Sequence, residues 1–281
     1  MSAPQESAGT GAAERVDLSG IPETMLWPLW NRAAEARRKR PLIEDPLAIE
    51  LVDRIDYDFR GRFGKPNVMH AIRARVCDDL VRNFIADTPG QPLVVALGEG
   101  LETQHWRIGD ERVRWVSVDV PEAIGVRRSL LPPDGPEAVE CSALDAEWMD
   151  VVPAGARPFI SASGLLMYFT EDEVRGLLVR IAERFPGAEI FFDTIPPFLA
   201  RRSQRGWRLT KLYTAPPMPW GIPIDDIAPF LSGIPGLRPA SVQSYADPFP
   251  SRTLLYRLLS YVPTLRRRFA GALVHARVEP S

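Results

Sequence analysis

The run Leu93-Val94-Val95-Ala96-Leu97 feeds directly into Gly98-Glu99-Gly100, and this apolar stretch ending on a glycine turn constrains the fold more than anything else in the chain. Five apolar residues in a row suit a strand buried on both faces, which is the environment of a parallel sheet covered by helices. Further short apolar runs at 113–118, 138–142, 159–163 and 190–193 repeat the theme. Residues 121–130 and 170–185 read as crossover helices between them, the second opened by a capping box of Thr170 and Glu173 and stopped by Phe185-Pro186-Gly187. The alternation predicts an α/β domain built on one mostly parallel sheet.

Before this unit the pattern is helical. Residues 1–16, dominated by Ser, Gly, Ala and Glu, read as a disordered leader. Met25, Leu26, Leu29, Trp30 and Ala33 recur at helical spacing within 21–38, and Arg37 to Arg40 suit a helix end before Pro41. Asp45-Pro46 reads as an N-cap and first helical position of a helix to about Arg54. A third helix is expected over 66–87, with Ile72, Val76, Leu80 and Phe84 on one face. Beyond the fifth strand, 196–250 is rich in proline, arginine and aromatics, followed by a helix near 252–261 and a last strand at 273–278.

A length of 281 residues fits one α/β domain with insertions, and 45% hydrophobic with 25% charged residues is an ordinary globular balance. The expected division is therefore 17–281 as one domain: 17–90 helices, 91–195 sheet, 196–281 covering segment and last strands. A net charge of -2 gives no footprint for nucleic acid. No long apolar run or signal peptide is apparent, so no membrane partner and a cytoplasmic location are expected. Cys77 and Cys141 lie far apart and His70, His105 and His275 are scattered, so no metal site is expected.

Gly98 and Gly100 allow the backbone to turn tightly and approach a ligand, and about twenty residues later the second strand ends on Asp119, a carboxylate able to accept both hydroxyls of a ribose. The pair implies an adenosine-containing cofactor. A dinucleotide fingerprint would place a third glycine where Thr103 stands, so NAD is disfavoured. After the third strand, Leu144 and Asp145 offer an apolar wall and an acceptor for an adenine, or Asp145 is an N-cap.

The segments Val94 to Arg107 and Val118-Asp119-Val120-Pro121-Glu122 resemble the leucine carboxyl methyltransferase family, in particular its bacterial polyketide-type (tetracenomycin-type) O-methyltransferase branch. Arg40 to Ala48, Ile72-Arg73-Ala74-Arg75-Val76-Cys77-Asp78 and Gly164-Leu165-Leu166-Met167-Tyr168-Phe169 resemble further family segments in the same order. The resemblance implies a class I, Rossmann-like methyltransferase with a seven-stranded sheet, a helical N-terminal extension and a helical lid. S-adenosyl-L-methionine is the implied cofactor: Gly98 and Gly100 at its methionine arm, Arg73 or Arg75 on the methionine carboxylate, Asp119 on the ribose, Leu144 and Asp145 at the adenine. Many relatives carry an acid where this chain has Ser163, so a hydroxyl would face the ammonium group.

Methyl transfer from a sulfonium is an in-line displacement governed by positioning, and a carboxylate acceptor needs no base. A hydroxyl acceptor would benefit from one, and His70, Tyr168 and His105 are the available residues, although His105 also reads as packing. Trp27, Trp30, Tyr213 and Trp220 are candidates to line an acceptor pocket, and Arg201, Arg205 and Arg208 recur at helical spacing nearby. The expected activity is O-methylation of a carboxyl or hydroxyl group on a small, polyketide-like molecule. The alternatives are a non-catalytic cofactor-binding or interaction module and an NAD-dependent oxidoreductase, the latter lacking a Tyr-x-x-x-Lys pattern.

Overall fold

A computed structural model describes residues 21–280, so the expected leader at 1–16 lies outside the described residues. The chain forms one seven-stranded sheet of order β3-β2-β1-β4-β5-β7-β6. Its strands are β1 (Leu93–Leu97), β2 (Arg114–Asp119), β3 (Glu137–Glu140), β4 (Phe159–Ala162), β5 (Glu189–Thr194), β6 (Leu237–Ser244) and β7 (Ala272–Val278). The first five are parallel, and β7 runs antiparallel between β5 and β6.

The period of two along β1 divides the interior. Leu93, Val95 and Leu97 join the core on one face, with Trp148, Leu178, Phe185 and Phe230, while Val94 and Ala96 pack on the other against Ile72, Val81 and Phe84. The latter residues belong to the fourth of twelve helices among the described residues: α1 (Leu26–Ala36), α2 (Pro46–Arg54), α3 (Phe59–Phe63), α4 (Met69–Asp87), α5 (Gln104–Ile108), α6 (Pro121–Leu130), α7 (Glu147–Asp150), α8 (Glu171–Arg184), α9 (Pro197–Gln204), α10 (Ile227–Ser232), α11 (Leu254–Ser260) and α12 (Pro263–Phe269). The capping box of α8 is formed in full, Thr170 accepting from the Glu173 backbone and Glu173 from that of Thr170.

Several boundaries differ from the sequence expectations. The first helix divides into a 3-10 turn (Ile21–Met25) and α1. The third begins at Met69, three residues late, with Val68 as N-cap; just before it the Asn67 side chain accepts from Met69 N at 3.0 Å, holding 67–69 in a turn. The arginines at 201, 205 and 208 do not share a helix, since α9 ends at Gln204.

The order of strands makes a switch point: from β1 the chain proceeds through β2 to β3 on one side, then returns to place β4 on the other. Ligands in open α/β sheets bind at such a point, outside the carboxyl ends of the strands. Here the helices α1 to α3 close over those ends, burying Leu26, Leu29, Leu51, Phe59 and Phe63 with Leu101 and Met167.

One buried carboxylate ties that cover to the sheet. Asp45 caps α2 by accepting from Ala48 N at 3.0 Å, and also accepts from Arg32 Nε of α1 at 3.1 Å, Thr103 Oγ1 at 2.8 Å and Arg107 Nη1 of α5 at 3.1 Å. Thr103 stands where a dinucleotide fingerprint would need glycine, and its hydroxyl explains the choice. Removing one partner of such a buried group typically costs about 3–5 kcal/mol.

Candidate functional site

A cavity of about 810 Å³ lies at the switch point. Its floor is built from the ends of three strands: Ala96 to Gly100 after β1, Ser161, Ser163 and Gly164 after β4, and Asp193 to Pro196 after β5. Its walls come from α1, α4, α9 and the α11–α12 hairpin.

The glycine turn needs its glycines. Gly98 and Gly100 sit at φ +60 and +51, in the left-handed region that side chains disfavour. A Cβ on Gly98 would lie 2.6 Å from Leu165 Cδ1, and one on Gly100 2.9 Å from Met25 Cγ. The turn is held from below by Asp119, whose Oδ2 accepts from Gly100 N at 2.8 Å and whose Oδ1 accepts from Val120 N at 2.9 Å. Burial raises the Asp119 carboxyl above its usual range, against the lowering effect of those two N–H groups. From α6, Arg127 donates to the carbonyls of Gly100 and Glu102 and pairs with Glu99 at 2.9 Å. Burial also raises the Glu99 carboxyl, opposed by the Arg127 charge, and this ion pair accounts for why Glu99 is not free to act on a ligand.

Arg73 and Arg75 part company. Arg73, buried on α4, lines the cavity and donates from Nη1 to Asp193 Oδ2 at 3.2 Å. Arg75 points outward, paired with Asp79 at 2.9 Å and donating to Leu42 O at 3.1 Å, so the structure removes it from the site. Burial disfavours the charge on Arg73, but Asp193 more than offsets this and the guanidinium stays protonated. Asp193 also accepts from Tyr245 Oη at 2.6 Å and from Gly164 N at 2.5 Å. Gly164 has φ +74, and a Cβ there would lie 2.5 Å from Arg73 Nη1, so glycine both makes the turn and admits the guanidinium.

The donor set fits S-adenosylmethionine. A guanidinium stands ready for a carboxylate, Asp193 and the Ser163 hydroxyl stand near it for an ammonium group, and two glycines leave the backbone open between them. Leu144 and Asp145 lie beyond the cavity lining: Leu144 packs on the core, and Asp145, exposed, accepts from Ser142 N at 2.9 Å. Asp145 is thus not the N-cap of α7, a position held by Ala146.

His70 lines the cavity, and its Nδ1 lies 2.5 Å from Asn31 Nδ2. The amide is oriented by Asn67 N, which donates to Asn31 Oδ1 at 3.0 Å, so Asn31 Nδ2 donates and His70 Nδ1 accepts. Burial, then the charges of Arg73 and Arg32, hold the imidazole well below the usual histidine range. A neutral ring accepting at Nδ1 carries its proton on Nε2 and offers a donor, not a base. Tyr168 also lines the cavity, and burial raises its phenol. His105 does not line it; the ring packs edge-on against Trp106 and Trp115 at 5.2 and 5.7 Å.

Of the four aromatic residues expected at the acceptor, Trp27 lines the cavity, with Trp207 edge-on at 5.9 Å. Tyr213 stands behind Trp27, at 6.4 Å, and packs on Phe63. Tyr213 therefore does not line the cavity, and two further expectations are corrected. Trp30 stacks on Phe59 and donates to Gly64 O at 3.3 Å, and Trp220 is buried in the sheet core between Phe192 and Phe230, because its loop returns along the sheet rather than over the cavity. Sequence reasoning missed Asp193, Arg127, Gly164 as a partner of Arg73, and Tyr245. Asp193 had a readable signal, a carboxylate ending a buried strand as Asp119 does; Tyr245 had none.

Among the described residues no group of three or more His, Cys, Asp or Glu side chains could hold a metal ion, and no helix is long and apolar enough to cross a membrane. The sequence signature of the leucine carboxyl methyltransferase family matches residues 26–182. The chain is 32% identical over 229 residues to the tetracenomycin polyketide synthesis O-methyltransferase TcmP of Streptomyces glaucescens, covering 80% of this chain and 83% of that one. It is 30% identical to the S-adenosyl-L-methionine-dependent methyltransferase dpfgK of Gibberella zeae, over 64% of this chain and 67% of that one. A crystal structure from Thermobifida fusca, assigned to a methyltransferase, superposes with a TM-score of 0.54 at 20% identity, covering 83% of this chain and 87% of that one, and so shares the fold. On the span of the family signature and the identity and coverage of these relatives, the chain belongs to the leucine carboxyl methyltransferase family and is an S-adenosylmethionine-dependent methyltransferase.

Proposed function

We propose that the enzyme methylates a carboxylate on a small, largely apolar acceptor of polyketide type. The observation that carries this reading is the orientation of His70, fixed through Asn31 and Asn67 so that it donates to the cavity. The acidic groups that line the cavity are committed elsewhere: Glu102 to Arg32 and Arg107, Glu99 to Arg127, and Asp193 to Arg73 and Tyr245. Burial raises the Glu102 carboxyl, but Arg107 and Arg32 overcome this and lower it to about 2, so it takes up no proton near neutrality. A carboxylate acceptor arrives ionised and asks only to be positioned.

When bound, the cofactor supplies an activated methyl group. Arg73 holds its methionine carboxylate, Ser163 and Asp193 face its ammonium, and Asp119 takes the ribose hydroxyls while keeping Gly100 in place. Trp27, Met167, Tyr168, Trp207, Leu209 and Met218 line the rest of the cavity and suit a flat apolar acceptor. His70 Nε2–H then binds one acceptor oxygen. The name of the Streptomyces glaucescens relative, a polyketide synthesis O-methyltransferase, agrees with such an acceptor.

The test is a set of aromatic acids and phenols of matched skeleton, incubated with methyl-labelled cofactor. The reading predicts label in an alkali-labile ester of the acids. Label in the phenol ethers alone would contradict it.

A further inference from the structure

The α11–α12 hairpin projects apolar side chains into solvent. Seven large apolar or aromatic residues between Leu254 and Phe269 are 43–68% exposed; among the described residues only Leu212 is a further exposed large hydrophobic. On α11, Leu254, Leu255, Tyr256 and Leu258 are all exposed although they point to different sides of the helix, so this helix stands proud of the domain. Contiguous apolar exposure of this kind marks an interaction surface.

The same face is cationic. Residues 251–270 hold five arginines and no Asp or Glu, in a chain whose net charge is -2. Arg252, Arg266 and Arg267 pair with Glu35, Asp225 and Asp226, whereas Arg257 and Arg268 have no carboxylate partner among the described residues. The face continues into α9, where Phe198 meets Phe269 edge-on at 5.2 Å and Arg268 stacks over both rings. Beside that contact a shallow basin of about 550 Å³ is lined by Phe198, Trp207, Arg268 and the arginines at 201, 202, 205 and 208, and none of these arginines forms an ion pair among the described residues. Beneath the hairpin lies the main cavity, whose lining includes Tyr256, Leu265 and Phe269.

We propose that this face docks on an anionic lipid surface. Short helices with exposed Leu and Tyr and flanking arginines lie in a bilayer interface, the apolar groups entering the acyl boundary and the guanidinium groups meeting lipid phosphates. A helix too short to span a bilayer can still lie on one. A second copy of this chain is the poorer occupant, because a two-fold contact would bring the unpaired arginines of one face against those of the other. Docking would turn the cavity mouth toward the bilayer, giving a lipophilic acceptor a path that avoids water; this last step rests on the cavity being the acceptor site.

The experiment is co-sedimentation of the full chain, without cofactor or acceptor, with vesicles of phosphatidylcholine alone or mixed with phosphatidylglycerol. Binding to the mixed vesicles should exceed binding to the neutral ones by about tenfold or more at low salt. L255S/Y261S, at two exposed positions outside the cavity lining, should lower it by about tenfold while cofactor-induced thermal stabilisation is unchanged. R205Q/R257Q should reduce the preference for anionic lipid. Equal binding to both vesicles, no binding to either, or full retention by L255S/Y261S would overturn the proposal. So would a wild-type dimer that the same substitutions dissociate, which would assign the face to a second copy. Vesicle binding without methylation of any acceptor would leave the docking face standing and remove the acceptor reading, while methylation of soluble acceptors without vesicle binding would do the reverse.

Discussion

The carboxylate of Asp119 accepts a hydrogen bond from the backbone N–H of Gly100, 2.8 Å away, so the residue expected to bind the cofactor's ribose also fixes the glycine turn that lines the cavity. On the proposed ribose role of Asp119, two contributions to cofactor affinity would pass through one side chain. Asp119→Ala should lower affinity for S-adenosylhomocysteine by about 2–3 kcal/mol, tens to more than a hundredfold. Isothermal titration of the folded variant checks this; an unchanged dissociation constant would remove Asp119 from the site.

Gly164 and Arg73 make a second linked pair. With φ +74 at the glycine and 2.5 Å between a built Cβ and Arg73 Nη1, Gly164→Ala must strain the turn and displace the guanidinium. The expected result is loss of cofactor affinity by at least tenfold in a protein that still folds. Arg75→Ala, removing a side chain that points outward to Asp79, should leave affinity unchanged. Equal losses in both variants would contradict the separation of the two arginines.

The tryptophans divide in the same way. Trp27→Ala removes apolar cavity wall and should raise KM for the acceptor severalfold with cofactor affinity kept. Trp220→Ala empties a place in the sheet core and should cost about 3–5 kcal/mol of stability, without a selective rise in KM. Urea unfolding and steady-state kinetics on both variants would show the opposite pattern if Trp220 faced the acceptor.

His70 makes stability depend on pH. The unfolded chain protonates this imidazole below about 6.5, while the folded chain, with its value held well down, does not. The unfolded state therefore binds more protons, and stability is lost as pH falls below about 6.5. Lowering the pH by one unit from there should cost about 1 kcal/mol at this residue, and His70→Gln should remove that part. His105, lowered mainly by burial, adds in the same direction and should persist in the variant. Identical pH dependence of urea midpoints in wild type and variant would show that His70 titrates normally.

How far the sequence reveals this arrangement follows from where its signals lie. Strand β1 is legible because both its faces are buried, so the run is apolar throughout, and Asp119 is legible because a carboxylate ending such a strand has no reason to be there except a ligand or a turn. Edge strand β6 is not: it carries Pro239 and exposes residues on both faces, so no apolar period marks it. Helix α12 is hidden behind Pro263 in a basic segment with no buried residue. Trp220 misleads because an aromatic residue in a proline-rich loop looks alike whether it covers a pocket or returns to the core. The Arg73, Asp193 and Tyr245 cluster joins three distant segments: β7 pairs Leu273 with both Asp193 of β5 and Gln243 of β6, which brings Tyr245 beside Asp193, and Arg73 reaches them from α4.

The central claim is that this cavity positions an already ionised acceptor and abstracts no proton from it. The pH dependence of kcat/KM for a carboxylic acid acceptor tests it most directly. The account predicts a flat profile from about pH 6 to 9, unchanged in shape in His70→Gln even where the rate falls, because the acceptor carboxylate is ionised throughout that range. A limb rising with pH in the wild type and absent from His70→Gln would show that His70 acts as a base and would contradict the account.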